Sequence, residues 1–264
     1  MEQILLLGRN GFIGNHLYNL LINKYEIIVV ADKKKLSNIE DLSPDYVINL
    51  CSSAPSANFT DSINANILYP LNILEKLLIN RKNTLTWVQI GSYFELQIEF
   101  GRKDNYTLHK NAFRNLISEL EISNKFLSTH TVILPHVTGP GEPESRLFPT
   151  MKRFNKGNLQ GKIFSSGNQF LPVINVSDAC AAIMQSLASN QKISSAQPVL
   201  YLRVREIINE CIINTNQSII DEKLSSLDSD YPMVKFPENV IGFEPKLDAN
   251  AIIGSTRLEN SNEN

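Results

Sequence analysis

The stretch LLLGRNGFIGNHLYNLL, which starts at Leu5, constrains the chain more than any other. An apolar run over residues 3–8 reads as a strand covered on both faces. Gly8, Gly11 and Gly14 follow at GxxGxxG spacing, and Ile13, Leu17, Leu20 and Leu21 then recur at the interval that puts them on one helical face. A strand, a glycine turn and an amphipathic helix form the opening of a dinucleotide-binding unit. The first glycine permits the tight turn, the second lets backbone approach a pyrophosphate, and the third lets helix and strand pack closely, with phosphates at the positive helix end. The expected cofactor loop is therefore Gly8, Asn10, Gly11, Phe12, Ile13 and Gly14. A bare glycine pattern also occurs in ordinary turns; the buried strand before it and the helix after it weigh against that reading.

The alternation continues. YEIIVVA (25–31) and SPDYVINLCSSA hold further strands, and residues 66–80 carry Ile67, Leu71, Leu74 and Leu78 on a helical stripe with Pro70 in its first turn. LTWVQIGS, a helical NYTLHKNAFRNLISEL and STHTVIL come next. Repeated strand and helix predict an α/β fold, a Rossmann-like doubly wound parallel sheet. After Leu134 the texture changes: PHVTGPGEPESRLFP reads as a long loop leaving the sheet, and the later segments, including KIFSSGNQFLPVINVSDACAAIMQSLAS and REIINECIINT, return to strands and helices. Asp178 is expected near a helix start, where a negative charge is favoured. The expected division is a dinucleotide-binding domain over 1–134 and 162–190, a smaller substrate lobe over 135–161 and 191–254, and a frayed tail over 255–264.

Asp32, at the end of the second strand, stands where a carboxylate would accept hydrogen bonds from adenosine ribose hydroxyls, which favours NAD. Lys33, Lys34 and Lys35 follow it and Arg9 lies in the glycine loop, any of which suits the 2′-phosphate of NADP. Cofactor choice stays open, with a slight lean to NAD. Lys33 is grouped with the cofactor contacts.

Tyr106 and Lys110 form a second constellation. Four residues apart on a helix, they share one face, so a phenol and an ammonium meet in one pocket, and the cation lowers the phenol pKa toward the range useful for proton exchange with a carbonyl or hydroxyl. Ser92 ends the strand WVQIGS, at the carboxyl edge where open α/β sheets bind ligands, and its hydroxyl suits the same oxygen. The expected catalytic set is Ser92, Tyr106 and Lys110.

Composition limits the partners. The 264 residues are 42% hydrophobic, and 25 Lys and Arg against 27 Asp and Glu leave a net charge of -2, so no global field attracts nucleic acid or an anionic membrane. Cys51, Cys180 and Cys211 are far apart and in no CxxC arrangement, which argues against a disulfide framework and against a zinc site and fits a reducing cytoplasm. No metal is expected. No basic region precedes an apolar leader, and no apolar run reaches the roughly 18 to 20 residues that cross a bilayer.

These residues resemble a known family, the extended short-chain dehydrogenase/reductases that act on nucleotide sugars, also described as the NAD-dependent epimerase/dehydratase family. GRNGFIG is similar to its glycine loop, PDYVINLCSSA and NANILYPLNILEKL to the strand and helix after it, YTLHK to its YxxxK motif, HVTGPGE to a segment usually reading NVYGPG, and GNQFLPVINVSDA and IGFEPKL to two later elements. The resemblance implies Asn66 as a further cofactor contact, Lys110 on the nicotinamide ribose as well as beside Tyr106, and Ser92, Tyr93, His136, Arg146 and Gln169 as substrate contacts. It also implies a homodimer. Three positions depart from the family: His136 replaces its asparagine, Thr138 its tyrosine, and Leu171 an arginine that often touches the nucleotide diphosphate; Arg146 is the candidate substitute.

Within that family the residues sort the reactions. Tyr93 and Phe94 stand where 4,6-dehydratases carry an acid and a base, and Phe94 where another branch carries an epimerising cysteine. What remains is hydride transfer: reduction of a nucleotide-linked 4-keto-6-deoxy sugar, or 4-epimerisation through a transient ketone, with the sequence closest to the sugar 4-ketoreductases. A dinucleotide-binding sensor without catalysis stays as the reading of another class, since fold does not fix function.

Overall fold

The computed structural model describes residues 1–29, 39–157, 166–213 and 231–257. Asp32, Lys33 and the end of the second strand lie outside the described residues.

The large sheet has six strands in the order β2-β1-β3-β4-β5-β8: β1 (Gln3–Leu7), β2 (Glu26–Val29), β3 (Tyr46–Asn49), β4 (Leu85–Ser92), β5 (Leu127–Leu134) and β8 (Ile193–Ser195). Every pairing in it is parallel. Successive side chains on a strand point to opposite faces, and β1 shows the consequence. Ile4 and Leu6 pack with Leu17 and Leu21 of α1 (Phe12–Leu21) and with Ile183 of α6 (Val176–Ser186). Leu5 and Leu7 pack on the other face with Ile73, Leu74 and Leu77 of α3 (Tyr69–Leu78) and Phe113 and Ile117 of α4 (Asn105–Ser123). Helices on both faces make this the Rossmann-like doubly wound sheet that the alternation predicts. Each such leucine contributes about 1.5–3 kcal/mol on burial, and truncating fully buried Leu17 to alanine would cost about 2–5 kcal/mol.

Two predicted stripes are rotated. On α1 the buried line is Gly14, Leu17 and Leu21, while Leu20, one residue and about 100° round from Leu21, is 42% exposed. Before α3 the chain makes a π-helical turn over Asn64–Leu68, in which the Tyr69 N–H reaches the Asn64 carbonyl. This wider turn changes the helical phase, so Pro70, Ile73, Leu74 and Leu77 are buried while Ile67, Leu71 and Leu78 are only partly so.

A second sheet has three strands in the order β6-β7-β9: β6 (His136–Thr138), β7 (Phe170–Asn175) and β9 (Leu200–Arg203). The glycine- and proline-rich segment expected to be all loop thus contains an edge strand, and its end opens α5 (Leu147–Asn155). Phe148, Met151 and Phe154 of α5 pack with Val173, with Ile207 and Ile208 of α7 (Val204–Cys211), and with Ile252 of α8 (Ala249–Arg257). Sheet membership differs from the expected division at two places: β7 lies in the small sheet, and β8 joins the large one by pairing with β5. A short apolar run does not specify which distant strand it will hydrogen-bond. Residues 255–257 of the expected tail complete α8. Asp178 is buried and does more than sit at a helix start, since its carboxylate accepts the N–H groups of Lys246 and Leu247 and so fastens the late segment to α6.

Candidate active site

The strand order reverses between β1 and β3, and open α/β sheets bind ligands at the carboxyl ends of strands at such a point. Two cavities open there. One, of about 890 Å³, is bounded by Gly8, Arg9, Asn10, Gly11, Leu50 and Tyr69, among others. The other, of about 530 Å³, is bounded by Gly8, Gly14, Ser92, Tyr106, His136 and Arg146, among others. Gly8, Gly11, Leu50 and Ser52 line both, so they are two ends of one cleft that meet at the glycine turn.

The turn is built by exclusion. Gly8 has φ +82°, a conformation that side chains disfavour, and a Cβ on it would stand 2.9 Å from the Leu50 carbonyl carbon. A Cβ on Gly14 would stand 2.2 Å from Gly8 O and 2.8 Å from Arg9 Cα, so α1 seats directly on the turn only because Gly14 lacks one. Gly11 caps α1 with no side chain on the helix's first N–H groups, which leaves them to an anion. Phe12 and Ile13 line the cavity that holds Ser92, and Asn10 lines the larger one. Arg9 lies over the Tyr18 ring, 4.2 Å from its centroid, and donates to Asn10 Oδ1. This cradle fits a dinucleotide: a bare helix end for the pyrophosphate, with a cavity on either side for the two nucleoside halves.

Asn66 takes a different place from the one expected. It is 3% exposed and lies behind the wall of the larger cavity, where Nδ2 donates to Ser53 Oγ at 3.0 Å and to the Ser62 carbonyl at 2.9 Å. Its Oδ1 accepts from Ser52 Oγ at 3.1 Å. Asn66 therefore braces the Ser52–Ser53 segment, which itself lines the cleft, and the π-helical turn is what aims the amide there.

Ser92 and Tyr106 line the same cavity. Lys110, one helical turn from Tyr106 on α4, is 5% exposed, with Nζ 5.8 Å from the centroid of the Tyr106 ring. The two side chains thus lie on one helical face, but Lys110 lines neither cavity, so of the pair only Tyr106 reaches the cleft wall. Around it stand residues that sequence reasoning did not single out. Ser92 caps the 3₁₀ segment Tyr93–Phe100, and Glu95 closes a capping box by accepting the Ser92 N–H. Burial pushes the Glu95 carboxyl above its ordinary value, opposed by the charges of Arg114 and Lys110. Arg102 lies over the Phe94 ring at 3.4 Å and donates to Asp104, which caps α4. Phe94 in turn meets Tyr106 edge to face at 6.0 Å. The S-x-x-E spacing of Ser92 and Glu95 is a capping-box signature, so it was the available signal.

The expected substrate contacts divide. Tyr93, His136 and Arg146 line the cavity with Ser92. Burial holds the Tyr93 phenol far above its ordinary value, so it remains a neutral donor. Gln169 lines neither cavity; it precedes β7, where its carbonyl accepts the Val204 N–H. His16 bonds the Pro140 carbonyl at 2.7 Å, and His109 bonds Ser62 Oγ at 2.9 Å, away from the cleft.

Comparisons with known proteins agree with this arrangement. Residues 4–199 match the NAD dependent epimerase/dehydratase family. The CDP-abequose synthase of Yersinia pseudotuberculosis is 27% identical over 260 residues, covering 84% of this chain and 86% of that protein. Among solved structures, UDP-glucuronic acid 4-epimerase from Bacillus cereus, in complex with UDP-glucuronic acid and NAD, superposes with a TM-score of 0.79 at 15% identity, over 97% of this chain and 98% of that one. RMD from Pseudomonas aeruginosa, complexed with NADPH, superposes with a TM-score of 0.75 at 17% identity, over 97% and 95%. At such identities the structures report a shared fold.

Proposed function

The chain belongs to the NAD dependent epimerase/dehydratase family, and from that premise we propose that it reduces a nucleotide-linked 4-keto-6-deoxy sugar with NAD(P)H, in deoxysugar biosynthesis for a surface polysaccharide or glycoside. The observation that carries the reading is that Ser92 and Tyr106 line one cavity with the glycine turn. The relative named for a CDP-linked sugar supports a nucleotide-sugar substrate.

Gly8, Gly11, Gly14 and the first N–H groups of α1 would hold the pyrophosphate, while Asn10 lines the wall of the larger cavity. Asp32 and Lys33 are assigned to the adenosine end from sequence alone. When bound, the dinucleotide supplies the hydride. Tyr106 donates its phenolic proton to the sugar oxygen as charge develops there, and the Ser92 hydroxyl bonds the same oxygen. Lys110 supplies the cation beside the phenol. Tyr93, His136 and Arg146 meet the substrate. Phe94 is apolar and the Tyr93 phenol stays protonated, so neither serves as the carboxylate base that dehydration needs.

No helix among the described residues is long and apolar enough to cross a membrane. The reading places the enzyme in the cytoplasm as a homodimer; Leu108 and Ile122 on α4, with Phe59 beside it, are exposed apolar residues that a second copy would cover. Mixing the protein with NADH or NADPH and 4-keto-6-deoxy nucleotide sugars tests the activity. Decay of the reduced-nicotinamide absorbance identifies a reductase, and sugar isomerisation without decay a 4-epimerase. Tight dinucleotide binding with no turnover of any sugar overturns both in favour of a binding protein.

A further inference from the structure

His136 and Thr138, two of the positions that depart from the family pattern, meet on one residue. The carboxylate of Glu142 takes the Thr138 hydroxyl at 2.6 Å and stands 3.1 Å from His136 Nε2. Its side chain is 1% exposed, against 17% for that of His136. The turn between them makes the meeting possible. Gly139 has φ +148° and Gly141 φ +81°, and the Glu142 N–H closes back on the Gly139 carbonyl at 3.1 Å, so the chain reverses and returns Glu142 beneath β6. The bond from His16 on α1 to Pro140 O anchors that turn.

A carboxylate offers only acceptors, so in the neutral imidazole the bond to Glu142 puts the ring proton on Nε2 and leaves Nδ1 with its lone pair. Nδ1 has no hydrogen-bond partner among the described residues, and the ring, packed against Phe148 at 5.8 Å, lines the cavity shared by Ser92 and Tyr106. Buried negative charge directly behind the ring disfavours an anionic ligand on that nitrogen, whereas a neutral hydroxyl, donating its proton, suits it. Exposed Arg146, elsewhere on the same wall, is the group for phosphate.

We infer that Glu142, His136 and Thr138 form one sugar-reading unit, in which Glu142 is a positioning residue that fixes the imidazole so that Nδ1 accepts a hydrogen bond from a sugar hydroxyl of the substrate. The inference rests on the nucleotide-sugar reading above.

The test is calorimetric titration of the NADH-loaded protein with UDP-glucose, CDP-glucose, dTDP-glucose and GDP-mannose, and in parallel with the corresponding bare nucleoside diphosphates. His136→Phe keeps a ring against Phe148 and removes the nitrogen. It should weaken the sugar nucleotide that binds the wild type by about tenfold, the factor expected for one lost hydrogen bond, while leaving bare nucleotide and NADH affinities unchanged. Glu142→Leu should reproduce that selective loss. Glu142→Gln, which retains an acceptor for Nε2–H, should recover most of the affinity. Equal losses for sugar nucleotide and bare nucleotide in both His136→Phe and Glu142→Leu would mean a packing role and overturn the inference. Unchanged sugar-nucleotide affinity in His136→Phe overturns it alone. A wild-type protein that binds NADH but none of the sugar nucleotides removes both the inference and the functional reading beneath it.

Discussion

Glu95 Oε1 accepts the backbone N–H of Ser92 at 2.8 Å, while the second oxygen of the same carboxylate lies 3.4 Å from Arg114 Nε. Ser92 ends β4, and Arg114 lies on α4 two turns beyond Tyr106. The carboxylate therefore joins the strand end that carries the serine to the helix that carries the tyrosine and lysine. Glu95→Leu would leave a buried N–H without an acceptor and a guanidinium without its counter-charge. The expected cost is about 3–5 kcal/mol in urea unfolding, with turnover reduced further than stability accounts for. Glu95→Gln keeps an acceptor for Ser92 and should fall between.

Tyr106→Phe removes the proton donor and keeps the ring that meets Phe94. Turnover should fall by about 10² to 10⁴, with NADH affinity, read by fluorescence titration, unchanged. Full activity would refute the assigned role.

Asn66 lines neither cavity, yet its amide holds Ser52, Ser53 and Ser62 together. Asn66→Ala should destabilise the fold by about 1–3 kcal/mol and weaken NADH binding, because the Ser52–Ser53 segment loses its brace. Unfolding and dinucleotide titration on the same sample check both effects.

Two glycines give opposite expectations for one substitution. Gly14→Ala drives a methyl group into Gly8 O and Arg9 Cα, both backbone, and should abolish dinucleotide binding. Gly254→Ala, inside α8 with nothing within 4 Å of the added Cβ, should raise stability by about 0.5–1 kcal/mol through helix propensity. Thermal unfolding with and without NADH reads both.

Acid should weaken the fold through His130. Burial, aided by the charge of Lys192, holds its imidazole below the ordinary 6.5. The unfolded chain then binds more protons than the native one, so stability is present above about 6.5 and is lost as pH falls through the folded value. His109, lowered by burial, adds in the same direction. Urea unfolding at pH 7.5 and 5.5 should show a smaller loss for His130→Asn than for the wild type.

Much of this protein was legible without coordinates. Alternating apolar runs predict a doubly wound sheet, and GxxGxxG between a buried strand and a helix predicts the turn that Gly8 and Gly14 build. Tyr106 and Lys110 share a face because four residues make about one helical turn, and Ser92 reaches the cleft because it ends a central strand. Such features are local, set by the period of a helix or strand and by which residues lack a Cβ, and a linear sequence states them directly.

The rest depended on neighbours distant in the chain. Asn66 has the sequence context of a cofactor contact, but the π-helical turn aims its amide at three serines instead. Strand Ile193–Ser195 belongs to the large sheet and Phe170–Asn175 to the small one because hydrogen bonds between remote strands, absent from any local pattern, decide pairing. Glu95 under Ser92 shows in one dimension only as a capping-box spacing, and Glu142 behind His136 as an ordinary glutamate. Only the packed fold decides that each is buried, and a buried carboxylate must find donors, which is what turns each into a support for the cleft.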